Sequence, residues 1–100
     1  MFAPFLGSAQ NDNFNGVWKQ DYSEVTLNIN LNQNPNRNIL IYNPETNNSY
    51  TEKIISITND EILAVALFDD NSNYSSKYIL KANNELHCYI DDYLLVYKKQ

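Results

Sequence analysis

Hydrophobic and polar residues alternate strictly along the segment from position 24 to position 32. One face of this segment carries the side chains of Val25, Leu27, Ile29 and Leu31. The other face carries Thr and Asn. A period of two is typical of a β-strand with one buried and one solvated face, as found in antiparallel sheets. A helix would not bring these four hydrophobic side chains together.

The same alternation recurs about every ten residues, with short segments rich in Asn, Asp and Pro between the repeats. It predicts eight strands, at residues 17–22, 24–32, 38–42, 50–58, 62–68, 74–82, 85–90 and 93–98. Such spacing favours an up-and-down antiparallel meander. Because closure leaves no exposed edge strand, we predict an all-β fold with an eight-stranded up-and-down barrel. A two-sheet β-sandwich is the alternative for the same pattern.

The predicted turns depend on Asn and Asp, since the chain has 17 Asn residues but only two Gly. Asn tolerates left-handed backbone and can replace Gly in a turn. We predict a turn at Asn34-Pro35-Asn36, and two-residue hairpin turns at Asn83-Asn84 and Asp91-Asp92.

The interior of an eight-stranded barrel is just large enough to be filled by side chains or to hold one small ligand. Most of the side chains that we predict to point inward are large, which favours a filled core over a ligand cavity. The predicted inward set is Val25, Leu27, Ile29, Leu31, Ile55, Ile57, Leu63, Val65, Leu67, Leu95 and Tyr97.

A chain of 100 residues fits one domain, which we place at residues 14–100 after an N-terminal tail at residues 1–13. Residues 1–10 combine a short apolar stretch with small residues, so a truncated export signal is the alternative to a plain tail. That alternative would place the protein in the periplasm or outside the cell. A lone Cys88 without a complete signal favours the cytoplasm.

Charge and composition exclude several classes of protein. The net charge is −5 and Arg37 is the single arginine, which argues against binding to a nucleic-acid backbone. No run of about 18 apolar residues is present, so we expect no membrane span. A single Cys excludes an internal disulfide and a metal site built from several cysteines.

The first predicted strand opens with Phe14-Asn15-Gly16-Val17-Trp18. A Gly-x-Trp sequence at this point of a closed antiparallel meander resembles the calycins, which include lipocalins, fatty-acid-binding proteins and avidins, and in particular small bacterial lipocalin-like barrels. The resemblance implies that Trp18 packs across the closed end, that Gly16 lets the chain enter tightly, and that basic residues ending the last strand cover the indole. A Trp that merely anchors the core is the alternative.

The residues that usually carry catalysis are not arranged for it. His87 and Cys88 are neighbours on one predicted strand, so their side chains point to opposite faces, Cys88 inward and His87 to the surface. The sequence Asp69-x-Asn71-x-Asn73 begins like a calcium loop but lacks the Gly and Glu that such a loop needs later. We therefore predict that the protein is not an enzyme and that it has no cofactor and no metal site.

The remaining candidates are contact residues. The turns carry Asp69, Asp70, Asp91 and Asp92, and the predicted strands carry Tyr74, Tyr78 and Tyr89 as a possible exposed patch. These features favour a non-enzymatic protein-binding module, such as an inhibitor or immunity-type protein, whose acidic turns steer a basic partner. The alternative is a carrier that binds a small apolar ligand inside the barrel.

Overall fold

The computed structural model of the chain describes residues 12–32, 38–82 and 84–100. A short 3₁₀ turn, Asp12–Phe14, precedes eight strands: β1 Gly16–Gln20, β2 Thr26–Ile29, β3 Asn38–Asn43, β4 Asn48–Ile57, β5 Glu61–Leu67, β6 Asn73–Lys81, β7 Glu85–Ile90 and β8 Tyr93–Lys99. Each one overlaps a predicted strand, so the all-β prediction is confirmed. Residues 1–11 of the predicted tail, the turn at Asn34-Pro35-Asn36, and Asn83 lie outside the described residues.

The eight strands form a closed barrel in chain order. Each strand pairs antiparallel with the next, and β8 pairs with β1 through Trp18 opposite Lys99 and Gln20 opposite Tyr97. This last pairing closes the sheet, which excludes the two-sheet sandwich and confirms the barrel. Closure leaves every strand with two neighbours and removes the edges at which another chain could add a strand.

Asn and Asp occupy most of the turn positions that adopt left-handed backbone. Four of the described non-glycine residues with positive φ are Asn47, Asn71, Asn84 and Asp91, and the exception is Tyr22 in the turn after β1. Asp91-Asp92 joins β7 to β8 as a two-residue turn, since Ile90 and Tyr93 pair directly across it. The predicted use of Asn and Asp in place of Gly is confirmed at these positions.

Part of the predicted inward set is wrong. Ile55, Leu63, Val65 and Leu67 point outward, and the exposed fractions of Ile55 and Leu67 reach 60% and 71%. On β4 the pairing shifts between Ile54 and Ser56, so a bulge at Ile55 reverses the alternation there. On β5 every residue after the first is apolar, so the sequence does not mark the face. In the structure the other face of β5 points inward, and it carries Ile62, Ala64 and Ala66.

Trp18 closes one end of the barrel. Its indole is fully buried, and Nε1 donates a 2.9 Å hydrogen bond to the carbonyl oxygen of Phe14. The Lys99 ammonium nitrogen lies 5.3 Å from the centroid of the Trp18 ring, as the resemblance implied. Gly16 is needed beside it, because its φ is +134° and a Cβ there would lie 2.9 Å from Lys99 Cε.

Large apolar side chains fill the barrel toward this end, where β1 begins. We call this region the packed half. It comprises Phe14, Trp18, Leu27, Ile29, Leu31, Ile39, Ile62 and Leu86, each of them at most 3% exposed. Burying side chains of this size is the main source of stability in a small domain, at about 1.5–3 kcal/mol for each residue.

Candidate ligand cavity and acidic rim

The other half of the barrel interior contains a cavity of about 180 Å³. We call this region the cavity half. The cavity is lined by Gln20, Val25, Ile41, Asn43, Tyr50, Glu52, Tyr74, Tyr78, Cys88, Ile90, Leu95 and Tyr97. The expectation of a filled core is therefore right for the packed half and wrong for this one. For comparison, an apolar cavity of about 150 Å³ in a protein core can hold a benzene molecule.

A buried carboxylate lies in the wall of the cavity. Glu52 on β4 is 1% exposed. Tyr50 and Ile54 are each two residues away from it on the same strand, so all three side chains point to the inside of the barrel. Its Oε2 accepts a 3.0 Å hydrogen bond from the Ser76 hydroxyl, and its Oε1 accepts one of 2.5 Å from the Tyr78 hydroxyl. Both donors come from β6, so the network spans β5, the strand that separates β4 from β6.

The tyrosines around the carboxylate are held in the neutral form. Burial, with the negative charge of Glu52 nearby, raises the pKa of Tyr78 well above its ordinary value. Burial also raises the pKa of Tyr74, helped by its hydrogen bond with Tyr50 and by Glu52. The pKa of Tyr97 is raised mainly by burial. At neutral pH the cavity wall therefore presents phenol groups rather than phenolates.

Three aromatic rings stand at the mouth of the cavity. The hydroxyl groups of Tyr50 and Tyr74 are 2.5 Å apart, and their ring centroids are separated by 6.3 Å. Phe68, from the turn after β5, packs edge-on against Tyr50 at 5.3 Å and lies 5.9 Å from Tyr74. These distances are those of favourable aromatic pairs, so the three rings form a defined lip over the carboxylate.

The turns around this mouth are strongly acidic. In an up-and-down barrel the turns after β1, β3, β5 and β7 meet at one end, and here they are residues 21–25, 44–47, 68–72 and 91–92. They contain seven of the twelve acidic residues of the chain and none of its Lys or Arg. We call this end the acidic rim.

The structure brings the four predicted acidic contact residues together on this rim. Asp69, Asp70, Asp91 and Asp92 are all exposed, and none of them forms an ion pair with a described residue. Asp70 is ordered by its own turn, because it accepts hydrogen bonds from the hydroxyl and the backbone N–H of Ser72. These bonds lower the pKa of Asp70.

The three predicted contact tyrosines do not form one exposed patch. Tyr78 is 1% exposed and belongs to the cavity wall, which corrects the expectation that it lies on the surface. The strand that carries Tyr78 was predicted correctly, but the side chain points into the barrel rather than to the surface. Tyr74 is half-buried at the mouth. Only Tyr89 lies on the outer wall, where its exposed fraction is 37%.

Tyr89 borders a shallow groove of about 400 Å³ on the outer wall of the barrel. Three apolar side chains that were predicted to point inward line the groove as well: Ile55, Leu63 and Val65. Lys77 and Asp91 place one charge of each sign at its margin. This groove and the cavity therefore lie on opposite sides of the same sheet.

Cys88 and His87 occupy opposite faces of β7, as predicted. Cys88 lines the cavity, and burial together with the Glu52 charge raises the pKa of its thiol to about 12. His87 lies on the outside, with Nε2 3.0 Å from a carboxylate oxygen of Glu85. The burial of Cys88 and the raised pKa of its thiol leave little nucleophilic thiolate at neutral pH.

Four cavity residues that carry polar groups were not singled out from the sequence: Gln20, Asn43, Tyr50 and Glu52. One signal was present for Glu52, since it shares the parity of Tyr50 and Ile54 on a strand that was correctly predicted. A charged residue at an inward position is the sequence signature of a buried polar site. This signature can be recognised only once the inward face of β4 is known.

We found no match to this chain among protein-family models, curated proteins or solved structures. Within residues 12–32, 38–82 and 84–100, no helix has the length and apolar character needed to cross a membrane. In the same ranges, no three His, Cys, Asp or Glu side chains lie together as a metal site would require.

Proposed function

We propose that this protein binds a small molecule inside the barrel, through the end that carries the acidic rim. The observation that carries the proposal is the cavity of about 180 Å³ in an otherwise packed interior, with a hydrogen-bonded carboxylate in its wall. Ligand sites are typically concave and lined by aromatic groups, with a few placed polar groups that fix orientation. Both features are present in the cavity half.

The size of the cavity limits the ligand. A volume slightly above that of a benzene-binding cavity accommodates a single small ring or a short chain, not a fatty acid or a retinoid. The polar groups in the wall also modify the carrier hypothesis. They favour a ligand that both fills the cavity and forms hydrogen bonds with its wall, whereas the sequence suggested a small apolar ligand.

A titration with small aromatic probes, followed by NMR of the labelled chain, tests this proposal. We expect at least one of benzylamine, benzyl alcohol and benzoate to shift the amide signals of Glu52, Tyr78 and Cys88. In the variant Ile41→Phe the larger ring occupies the cavity and these shifts are lost. Leu40→Phe is the matched control, because Leu40 is on the same strand and faces solvent.

Two results would refute ligand binding in the cavity. One is the absence of any shift at these amides with all three probes at millimolar concentration. The other is equal binding by the Ile41→Phe and Leu40→Phe variants, which would place the probes elsewhere. If the probes do bind in the cavity, native mass spectrometry of the chain purified from its own organism would identify the natural occupant as a retained adduct.

A protein-binding module is the second candidate function, and the acidic rim with the outer groove favours it. Exposed apolar side chains beside Tyr89 are of the kind enriched at interfaces, and the unpaired acids of the rim would attract a basic partner. An inhibitor or immunity-type role would use these surfaces. Its signature is an association rate with a co-purifying protein that falls steeply with salt. A rate independent of salt would exclude steering by the rim.

A further inference from the structure

Glu52 is the one acidic side chain among the described residues that is fully buried. Its Oε2 accepts a hydrogen bond from the Ser76 hydroxyl and its Oε1 accepts one from the Tyr78 hydroxyl. The Tyr74 hydroxyl also interacts with this carboxylate, since, besides burial, a hydrogen bond with Glu52 contributes to the raised pKa of Tyr74. A carboxylate has about four lone-pair positions, so capacity for at least one further donor remains. Since Glu52 also lines the cavity, that capacity is available to a molecule inside it.

No described basic side chain neutralises this carboxylate. The ion pairs among the described residues join Lys19 with Glu24, Lys98 with Asp21 and Glu85, and His87 with Glu85. Lys53 follows Glu52 directly but points to the outside of the barrel, because side chains alternate along a strand. A buried charge normally has a partner of opposite sign, since neutral hydroxyl groups offset only part of its lost hydration.

The surroundings of the cavity also favour a positive charge. Tyr50, Tyr74, Tyr78 and Tyr97 all contribute to the wall, and the face of a neutral phenol ring attracts a cation. Outside the mouth, the acids of the rim raise the local concentration of cations and repel anions. The Glu52 carboxylate, the tyrosine rings and the rim are three separate groups that all select the same charge.

We propose that the ligand of the cavity is a small organic cation, such as a primary amine or an amidine, whose N–H groups donate to Glu52. This inference rests on the proposed ligand-binding function and specifies its substrate class. The amine would complete the hydrogen bonding of the carboxylate, and its apolar part would pack on Ile41, Leu95 and the tyrosine rings. An inorganic cation fits less well, because the wall supplies a single carboxylate and a hard divalent ion requires several oxygen ligands.

Calorimetric titration of the full chain with three probes of similar size tests the charge preference. Benzylamine, benzyl alcohol and benzoate differ mainly in the group that would meet Glu52. We expect benzylamine to bind at least about tenfold more tightly than benzyl alcohol, because both can donate a hydrogen bond to Glu52 but only the ammonium group carries the opposite charge. We expect no binding of benzoate, because its carboxylate would face Glu52.

The variant Glu52→Gln assigns the preference to this residue. It should weaken benzylamine binding at least about tenfold and weaken benzyl alcohol binding less, because the alcohol carries no charge and can still donate to the Gln carbonyl oxygen. Asp60→Asn, in the exposed turn after β4 at the opposite end of the barrel, is the matched control and should leave both affinities nearly unchanged. Glu45→Gln, on the acidic rim, should weaken benzylamine binding much less than Glu52→Gln does. If Glu52→Gln does not fold, the comparison of the three probes on the unmodified chain still decides the charge preference.

The two proposals fail in different ways. If benzyl alcohol binds as tightly as benzylamine, and Glu52→Gln changes neither, the cavity is a ligand site but the ligand is not a cation. If none of the three probes binds, the proposed function itself is refuted. If benzylamine binds preferentially but Glu45→Gln weakens it as much as Glu52→Gln does, the cation is held by the rim and the inference is wrong.

Discussion

The two halves of the barrel interior use the same eight strands but different side chains. The packed half contains Trp18, Phe14 and aliphatic residues with no buried carboxylate, and its space is filled. The cavity half contains Glu52, Ser76 and several tyrosines around an open volume. A buried polar network and an unfilled volume both reduce stability, whereas apolar packing increases it. The packed half therefore provides most of the stability that lets the cavity half keep a binding site.

The largest expected effect comes from the centre of the packed half. Trp18→Ala should lower the free energy of unfolding by about 3–5 kcal/mol, because it leaves a large cavity and removes the ring beneath Lys99. Urea unfolding followed by circular dichroism measures this, since the variant has no Trp fluorescence. Tyr93→Ala, at a 75% exposed position, should change stability by no more than about 0.5 kcal/mol. A loss below about 1 kcal/mol for Trp18→Ala would contradict the assignment of stability to this half.

Removing the whole polar network around Glu52 should raise the free energy of unfolding rather than lower it. The combined variant Glu52→Met, Ser76→Ala and Tyr78→Phe replaces a buried charge and its donors by apolar groups. We expect it to be about 1–4 kcal/mol more stable than the natural chain. Tyr78→Phe alone should instead lose about 1–3 kcal/mol, because Glu52 Oε1 then lacks its donor. If the combined variant is less stable than the single one, the network stabilises the fold rather than serving a ligand.

A matched pair on β3 compares the free volume of the two halves directly. Ile39 and Ile41 both point into the barrel, but only Ile41 lines the cavity. Ile39→Phe should lower the free energy of unfolding by about 1–3 kcal/mol through overpacking. Ile41→Phe should leave it unchanged or raise it by up to about 1 kcal/mol, because the cavity accepts the ring. Equal losses for the two variants in urea unfolding would show that neither half has room.

Alkaline pH should lower the stability of the fold through the buried Tyr and Cys side chains of the cavity half. The pKa of Tyr78 is raised above its ordinary 10.0 and that of Cys88 above 9.0, so both stay protonated in the folded state while the unfolded chain loses the protons. Stability is then constant below about pH 9 and decreases above it, by up to about 1.4 kcal/mol per pH unit for each group.

The slope of stability against pH, from urea midpoints at about pH 8 to 11, checks this expectation. Tyr78→Phe should make the slope shallower, although the variant is less stable at neutral pH. The matched control is Tyr42→Phe, since Tyr42 lies on the outer face of β3 and outside the cavity. A slope that Tyr78→Phe does not alter would show that Tyr78 ionises without unfolding.

The sequence by itself determined the strands, their order and their turns. Alternation along residues 24–32 and its recurrence predicted eight strands, and the abundance of Asn explained the turns at Asn47, Asn71 and Asn84. It also predicted the face of Cys88, while the environment of Trp18 was implied by the resemblance that Gly16 and Trp18 carry. These features are local, because they depend on the period of two and on the backbone preferences of single residues.

Only the tertiary structure decided which face of β4 and β5 points inward and what the interior contains. Because β4 has a bulge at Ile55 and β5 is apolar at every position after Glu61, neither strand carries a local signal for its inward face. Which face points inward therefore depends on the side chains across the barrel. Ser76 and Tyr78 meet Glu52 from two strands away, more than twenty residues along the chain. A site built from such distant contacts becomes visible when closure fixes the register.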